Sequence, residues 1–311
     1  MDGFHDNRKG SGSETKMTDD RENVEAKYQR LKAHLQGLGR VIVAFSGGVD
    51  STLLLRVSRD VLGENVLAVS VVSETMPDRD REAAARFALE IGVPYMTVPT
   101  DELFHESFRT NPVDRCYYCK RLRFGHIVRI GAKKGVAHIL DGENIDDLDD
   151  YRPGRRAARE LGIISPLREA GFSKKEVRIL ARRLGLGVWN RPASACLASR
   201  IPHGMAITAE RLRRIDCGEM FLRDAGISSE IRVRLIDDRS ARIEIPTGDL
   251  DAIVREPFRS RVVAFFKDLG FRRIAVDLEG YRTGSLNPER SPDGVGEANA
   301  SILADKGGMS L

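Results

Sequence analysis

Val41-Ile42-Val43-Ala44-Phe45-Ser46-Gly47-Gly48-Val49-Asp50-Ser51-Thr52-Leu53-Leu54-Leu55 decides how the rest of the chain is read. The first five residues are apolar and mostly β-branched, the pattern of a strand buried on both faces. The Leu-rich end reads as the helix that leaves it. The turn between them is therefore at the strand's carboxyl end. Its paired glycines let backbone approach a ligand closely and aim several N–H groups together. Ser46 and Ser51 add hydroxyls, and the new helix adds its positive end. Such a turn suits a pyrophosphate; a Gly-Gly turn capped by Asp and Ser is the plainer alternative.

The spacing excludes two common nucleotide loops. A Walker A loop needs G-x-x-x-x-G-K-[ST], and no Lys follows here; G-x-G-x-x-G is also absent. S-G-G-x-D-S after a strand resembles the PP-loop of the ATP pyrophosphatase superfamily, whose members cleave ATP between its α- and β-phosphates. The resemblance implies ATP bound by Ser46, Gly47, Gly48, Asp50 and Ser51. Asp50 is a candidate Mg²⁺ ligand, direct or outer; on geometry alone it could equally be a helix N-terminal carboxylate.

Outward from this loop, strands alternate with helices. Val24, Tyr28, Leu31, Leu35 and Leu38 predict an amphipathic helix. Strands follow at Val66–Val72, Tyr95–Val98 and Ala137–Leu140, with helices over Arg79–Ile91 and Lys120–Lys134. Ser173-Lys174-Lys175-Glu176 carries a capping box. This order predicts an α/β fold with a doubly wound, mostly parallel sheet, whose ligands sit at the carboxyl ends of strands. Past the loop 188–204 the pattern changes. A helix over Thr208–Ala225, a hairpin of Glu230–Ile236 and Ala241–Ile245, a helix over Pro257–Leu269 and a strand at Arg272–Leu278 predict a small α+β domain. The expected division is a disordered tail to residue 22, a PP-loop domain over 23–205, the small domain over 206–285 and a mobile tail over 286–311.

The 311 residues are 41% hydrophobic and 31% charged, the balance of a globular protein. No apolar run is long enough for a membrane span and no signal-peptide core is present, so a cytoplasmic protein is expected. A net charge of +4 neither requires nor excludes nucleic acid. Four cysteines do not suggest a disulfide scaffold. Cys116 and Cys119, in a C-x-x-C just before a predicted helix, could share a metal or be an inert thiol pair. Arg115, Lys120 and the helix end would lower their pKa. Cys196 lies in a small-residue loop, Arg191-Pro192-Ala193-Ser194-Ala195-Cys196-Leu197-Ala198-Ser199-Arg200. Three cysteines can hold a [4Fe–4S] cluster and leave one iron open. Cys217 reads as a mid-helix packing residue.

Other residues keep two readings. Asp141-Gly142-Glu143-Asn144-Ile145-Asp146-Asp147 could hold Mg²⁺ or orient a nucleotide, or be an acidic turn. Arg152 and Arg155 could meet phosphate or carboxylate, or form a solvated face. Arg200, Arg232 and Arg234 could fork a substrate phosphate, and Glu219, Glu244 and Asp251 could bind a divalent ion; surface ion pairs are the alternative for both sets. Trp189 could stack on a cationic ring or pack in the core.

The PP-loop, Asp141–Asp147, Tyr151-Arg152-Pro153-Gly154, Pro192–Arg200 and Asp277-Leu278-Glu279-Gly280-Tyr281-Arg282-Thr283-Gly284-Ser285 together resemble the LarE family of PP-loop sulfur transferases, over about residues 23–286. That resemblance implies adenylation of a carboxylate of pyridinium-3,5-biscarboxylic acid mononucleotide, then displacement of AMP by sulfur, in nickel-pincer cofactor biosynthesis. Some members take the sulfur from the cysteine matching Cys196. Members with the extra C-x-x-C are thought to hold a [4Fe–4S] cluster instead, which implies Cys116, Cys119 and Cys196 as ligands and sulfur carriers here. It also implies a homo-oligomer. A PP-loop tRNA thiolase is the competing enzyme; a regulatory nucleotide-binding module and an amidating synthase, as in GMP or NAD synthesis, explain the cysteines less well.

Overall fold

The computed structural model describes residues 11–148, 153–192, 194–227 and 230–282, and only the backbone of 11–21. Four parallel strands form the main sheet in the order β3-β2-β1-β4: β1 Val41–Ala44, β2 Val66–Val72, β3 Tyr95–Pro99 and β4 His138–Leu140. Val41 pairs with Val66 on one side and His138 on the other. The chain thus runs outward from β1 to β3, then returns to the far side of β1. The switch point lies between β1 and β4, where a doubly wound sheet opens its ligand crevice.

Side chains of β1 alternate between two cores. Val41 and Val43 join one cluster with Leu31, Leu53 and Phe87; Ile42 joins the opposite one with Phe124 and Ile127. Helices therefore cover both faces, which is why β1 can be apolar throughout. Helix α1 (Ser11–Leu38), α2 (Val49–Leu62) and α3 (Asp78–Ile91) pack on the first face. Leu53, Leu54 and Leu55 of α2 are fully buried, each adding about 1.5–3 kcal/mol of apolar burial. That burial fixes the first turn of α2, and with it the glycine loop.

The helix expected from Val24 begins at Ser11, so the stretch read as disordered to residue 22 is helical from Ser11 onward. Ser11–Arg21 contains no proline, and extending a packed helix avoids the cost of a new nucleus. Residues 1–10 and the tail beyond Arg282, including the expected Thr283-Gly284-Ser285 match, lie outside the described residues, as do Tyr151 and Arg152.

The second sheet is β5 (Arg232–Asp237), β6 (Ser240–Glu244) and β7 (Arg273–Val276), with β5–β6 antiparallel and β6–β7 parallel. The helices Ala209–Asp224 and Phe258–Asp268 cover it around Ile215, Val233 and Phe266. This core reaches back past residue 205 to take in Leu197, Ala198, Ile201 and Phe108. The cysteine loop is thus packed on the small domain while it faces the large one. No described helix is long and apolar enough to cross a membrane.

Candidate active site

Gly47 holds φ +71°, and a Cβ there would stand 2.9 Å from the Cα of Ala84, so the nucleotide loop is wedged against α3. Gly48 caps α2 with extended backbone. Ser51 Oγ donates to the Gly48 carbonyl at 3.2 Å and accepts from the Ser46 N–H at 3.3 Å; the two hydroxyls are 3.1 Å apart. Ser51 is buried and Ser46 exposed. The loop is braced from within and opens outward at its serine.

The loop after β4 lies directly on this turn. A Cβ on Gly142 would meet the Ser51 nitrogen at 2.8 Å. Asn144 Nδ2 donates to Asp50 Oδ1 at 3.1 Å, and Lys174 Nζ donates to Asp50 Oδ2. Asp50, expected as a Mg²⁺ ligand, here carries an ion pair with a lysine. The other acidic residues of the loop are occupied too. Glu143 pairs with Arg168 and, at 3.0 Å, Arg155. Asp146 accepts from the Lys174 N–H at 2.9 Å. Burial pushes the Asp141 carboxyl up, against the pull of Lys120 and Ser165.

Cys116 and Cys119 lie inside the first turns of the Arg115–Lys134 helix rather than before it. Asn111, buried with φ 57°, and Pro112 turn the chain, and Arg115 Nη1 then donates to Asn111 Oδ1 at 2.7 Å, so the helix starts early. Three residues of spacing put both thiols on one side of the helix. Cys116 is exposed; Cys119 is half-buried and donates to Glu102 Oε2 at 3.4 Å. The expected lowering of the Cys119 pKa is reversed: burial pushes it well up, and the nearby Arg123 only offsets this.

Glu102 was not foreseen. It follows β3, is 0% exposed, and accepts from Arg123 Nε at 3.0 Å, Arg123 Nη2 at 2.8 Å and Thr75 Oγ1 at 2.7 Å, with Ser73 as a fourth donor. Burial pushes its pKa up, but the Arg123 charge and these hydrogen bonds outweigh it and hold it at about 2. The signal was available, because Glu102 stands at the carboxyl end of a parallel strand.

The Cys196 loop meets this network. The Leu197 N–H donates to the Thr75 carbonyl at 2.8 Å. Cys119 and Cys196 are both partly buried against the same core, which includes Phe108, Leu197 and Ile201. Three thiols from two segments are the donor type a [4Fe–4S] cluster takes. Among the described residues, no three His, Cys, Asp or Glu are gathered into a group ready to hold a metal ion.

Arg200, Arg232 and Arg234 are buried rather than on the surface. Arg200, 0% exposed, forks onto Glu219 at 2.8 and 3.0 Å, and its Nη1 donates to the carbonyls of Ala195 and Cys196 at 2.6 and 2.9 Å. Its guanidinium holds the cysteine loop in place, and a phosphate would have to displace Glu219 to reach it. Arg234 donates to Glu244 at 2.6 Å and to the Ser199 carbonyl at 2.8 Å. Arg232 lies over the Tyr281 ring at 4.9 Å; burial and then the neighbouring Arg200 lower its pKa. Gly280, at φ +74°, brings Tyr281 there, and a Cβ would meet the Ile245 carbonyl at 2.8 Å. Asp251 forms an exposed pair with Arg255. Trp189 packs against the main core beneath Arg182.

The NAD synthase family profile matches residues 23–131. Over 85% of its length the chain is 40% identical to a pyridinium-3,5-bisthiocarboxylic acid mononucleotide synthase of Lactiplantibacillus plantarum, covering 95% of that protein. It is also 40% identical to an uncharacterized protein of Synechocystis sp., covering 98% of it. A GMP synthase of Pyrobaculum aerophilum is 27% identical over 51% of the chain and 34% of its own length. With the glycine loop at the switch point and the match running through both domains, the chain belongs to the LarE-type family of PP-loop synthases.

Proposed function

We propose that this enzyme adenylates a carboxylate of pyridinium-3,5-biscarboxylic acid mononucleotide with ATP and converts it to a thiocarboxylate. The observation that carries this reading is that the loop bearing Cys196 reaches the nucleotide loop at the carboxyl end of the parallel sheet, where Arg191 Nη1 donates to the Gly47 carbonyl at 3.3 Å. A substrate carboxylate oxygen attacks the α-phosphorus of ATP, and pyrophosphate leaves. Gly47, Gly48, the α2 N-terminus and Lys174 offset its charge, with Mg²⁺ arriving on ATP. A sulfur nucleophile then attacks the acyl carbon, and AMP leaves with the former carboxylate oxygen. Adenylation is needed because a carboxylate has no adequate leaving group of its own. Arg232 is the residue we assign to the substrate phosphate.

Cys116, Cys119 and Cys196 would hold a [4Fe–4S] cluster, and when bound there it would supply an open iron for an added sulfide. Arg200 and Glu219 hold the Cys196 end of that donor set. The test is anaerobic purification with assay of iron and acid-labile sulfide, followed by ATP, Mg²⁺, sulfide and the biscarboxylate. Iron with repeated thiocarboxylate formation supports the proposal. Loss of one hydrogen sulfide from Cys196 per chain replaces the cluster with sacrificial transfer. Pyrophosphate release only with tRNA replaces the substrate.

A further inference from the structure

Asp80 stands in the first turn of α3 with its side chain only 10% exposed. One oxygen accepts from Arg191 Nη2 at 2.7 Å and the other from the Ser194 hydroxyl. Arg191 Nη1 donates to the Gly47 carbonyl at 3.3 Å. Gly47 in turn is wedged against Ala84 of the same helix. One carboxylate thus joins three segments: the nucleotide loop, α3 and the loop that carries Cys196. Two of its contacts are charge-assisted and largely shielded from water, so they define geometry more firmly than surface pairs do. Arg79 also faces Asp80, at 3.5 Å.

We propose that Asp80 and Arg191 are positioning residues that couple the nucleotide loop to the cysteine loop, so that filling the first sets where Cys196 stands. The Gly47 carbonyl that Arg191 holds belongs to the turn that must receive the phosphates. A shift of that turn therefore pulls on Arg191, three residues before Ser194 and five before Cys196. The idea rests on the sulfur-transfer reading, whose second step needs the nucleophile aligned with the acyl carbon.

Three variants, Asp80→Asn, Arg191→Lys and Ser194→Ala, test it beside wild type. Pyrophosphate release, followed in a single turnover, measures adenylation, and thiocarboxylate measures transfer. The alkylation rate of Cys196 by iodoacetamide, followed by peptide mass in protein shown by assay to be free of iron, is read with and without α,β-methylene-ATP. In Asp80→Asn and Arg191→Lys, transfer should fall about 100-fold, the scale of a small misplacement, with adenylation reduced far less. The nucleotide should change Cys196 alkylation in wild type and not in these two. Ser194→Ala keeps the ion pair and should fall between, which preserves the test if the charged variants unfold. Equal losses in both half-reactions, or alkylation indifferent to nucleotide in wild type, would overturn the coupling. The alkylation arm needs no biscarboxylate, so a wild type that ignores that substrate refutes the sulfur-transfer reading separately.

Discussion

Replacing Glu102 by Gln should destabilise the fold in a pH-dependent way. The folded carboxyl sits at about 2 against an ordinary 4.5. At about 1.36 kcal/mol per pH unit, that difference corresponds to about 3 kcal/mol of stability from its ionised form. Because the folded pKa is depressed, the contribution is complete above 4.5 and is lost as pH falls toward 2. Gln keeps the shape but leaves Arg123 without its carboxylate, and it is Glu102 that offsets the cost of burying the Arg123 charge. Urea denaturation of wild type and Glu102→Gln at neutral pH should differ by about 3 kcal/mol, and the gap should shrink to less than half by about pH 3. A gap that is absent at neutral pH, or that stays constant into acid, would refute the assignment of Glu102 as the buried counter-charge.

Three further outcomes follow from contacts. Gly142→Ala pushes a methyl into the Ser51 nitrogen, so AMP formation should drop about tenfold or more at an overpacking cost of about 1–3 kcal/mol, read by nucleotide assay and melting. Glu219→Gln leaves the fully buried Arg200 uncompensated, which should cost about 3–5 kcal/mol in denaturant and raise Cys196 alkylation as its loop loosens. Ser173→Ala breaks a capping box in which Glu176 N–H meets Ser173 Oγ at 3.3 Å and Ser173 N–H meets Glu176 at 2.8 Å; about 1 kcal/mol should be lost in denaturant.

The main sheet was legible because its signals are local. β-Branched runs, Gly-Gly after a strand and the Ser173 cap each read within a few residues, and β2 falls at Val66–Val72 as expected. The start of the cysteine helix was not legible, because it depends on Arg115 reaching Asn111 and His203, the latter far along the chain. The same reason hid the small domain's buried ion pairs. Nothing near Arg200 announces Glu219, and nothing near Arg234 announces Glu244, until the sheet brings them together. Asp50 matched the motif, yet its partners come from elsewhere, Asn144 from the loop after β4 and Lys174 from the first turn of the Lys174–Arg183 helix. Local patterns thus located the nucleotide loop and the cysteines, while the charges that hold them required the fold.

The most direct test of acyl adenylation uses a biscarboxylate substrate labelled with ¹⁸O in its carboxylates. After turnover with ATP and sulfide in unlabelled water, the AMP should carry one ¹⁸O for each thiocarboxylate formed. AMP without label, or ADP as the nucleotide product, would contradict attack of the carboxylate on the α-phosphorus.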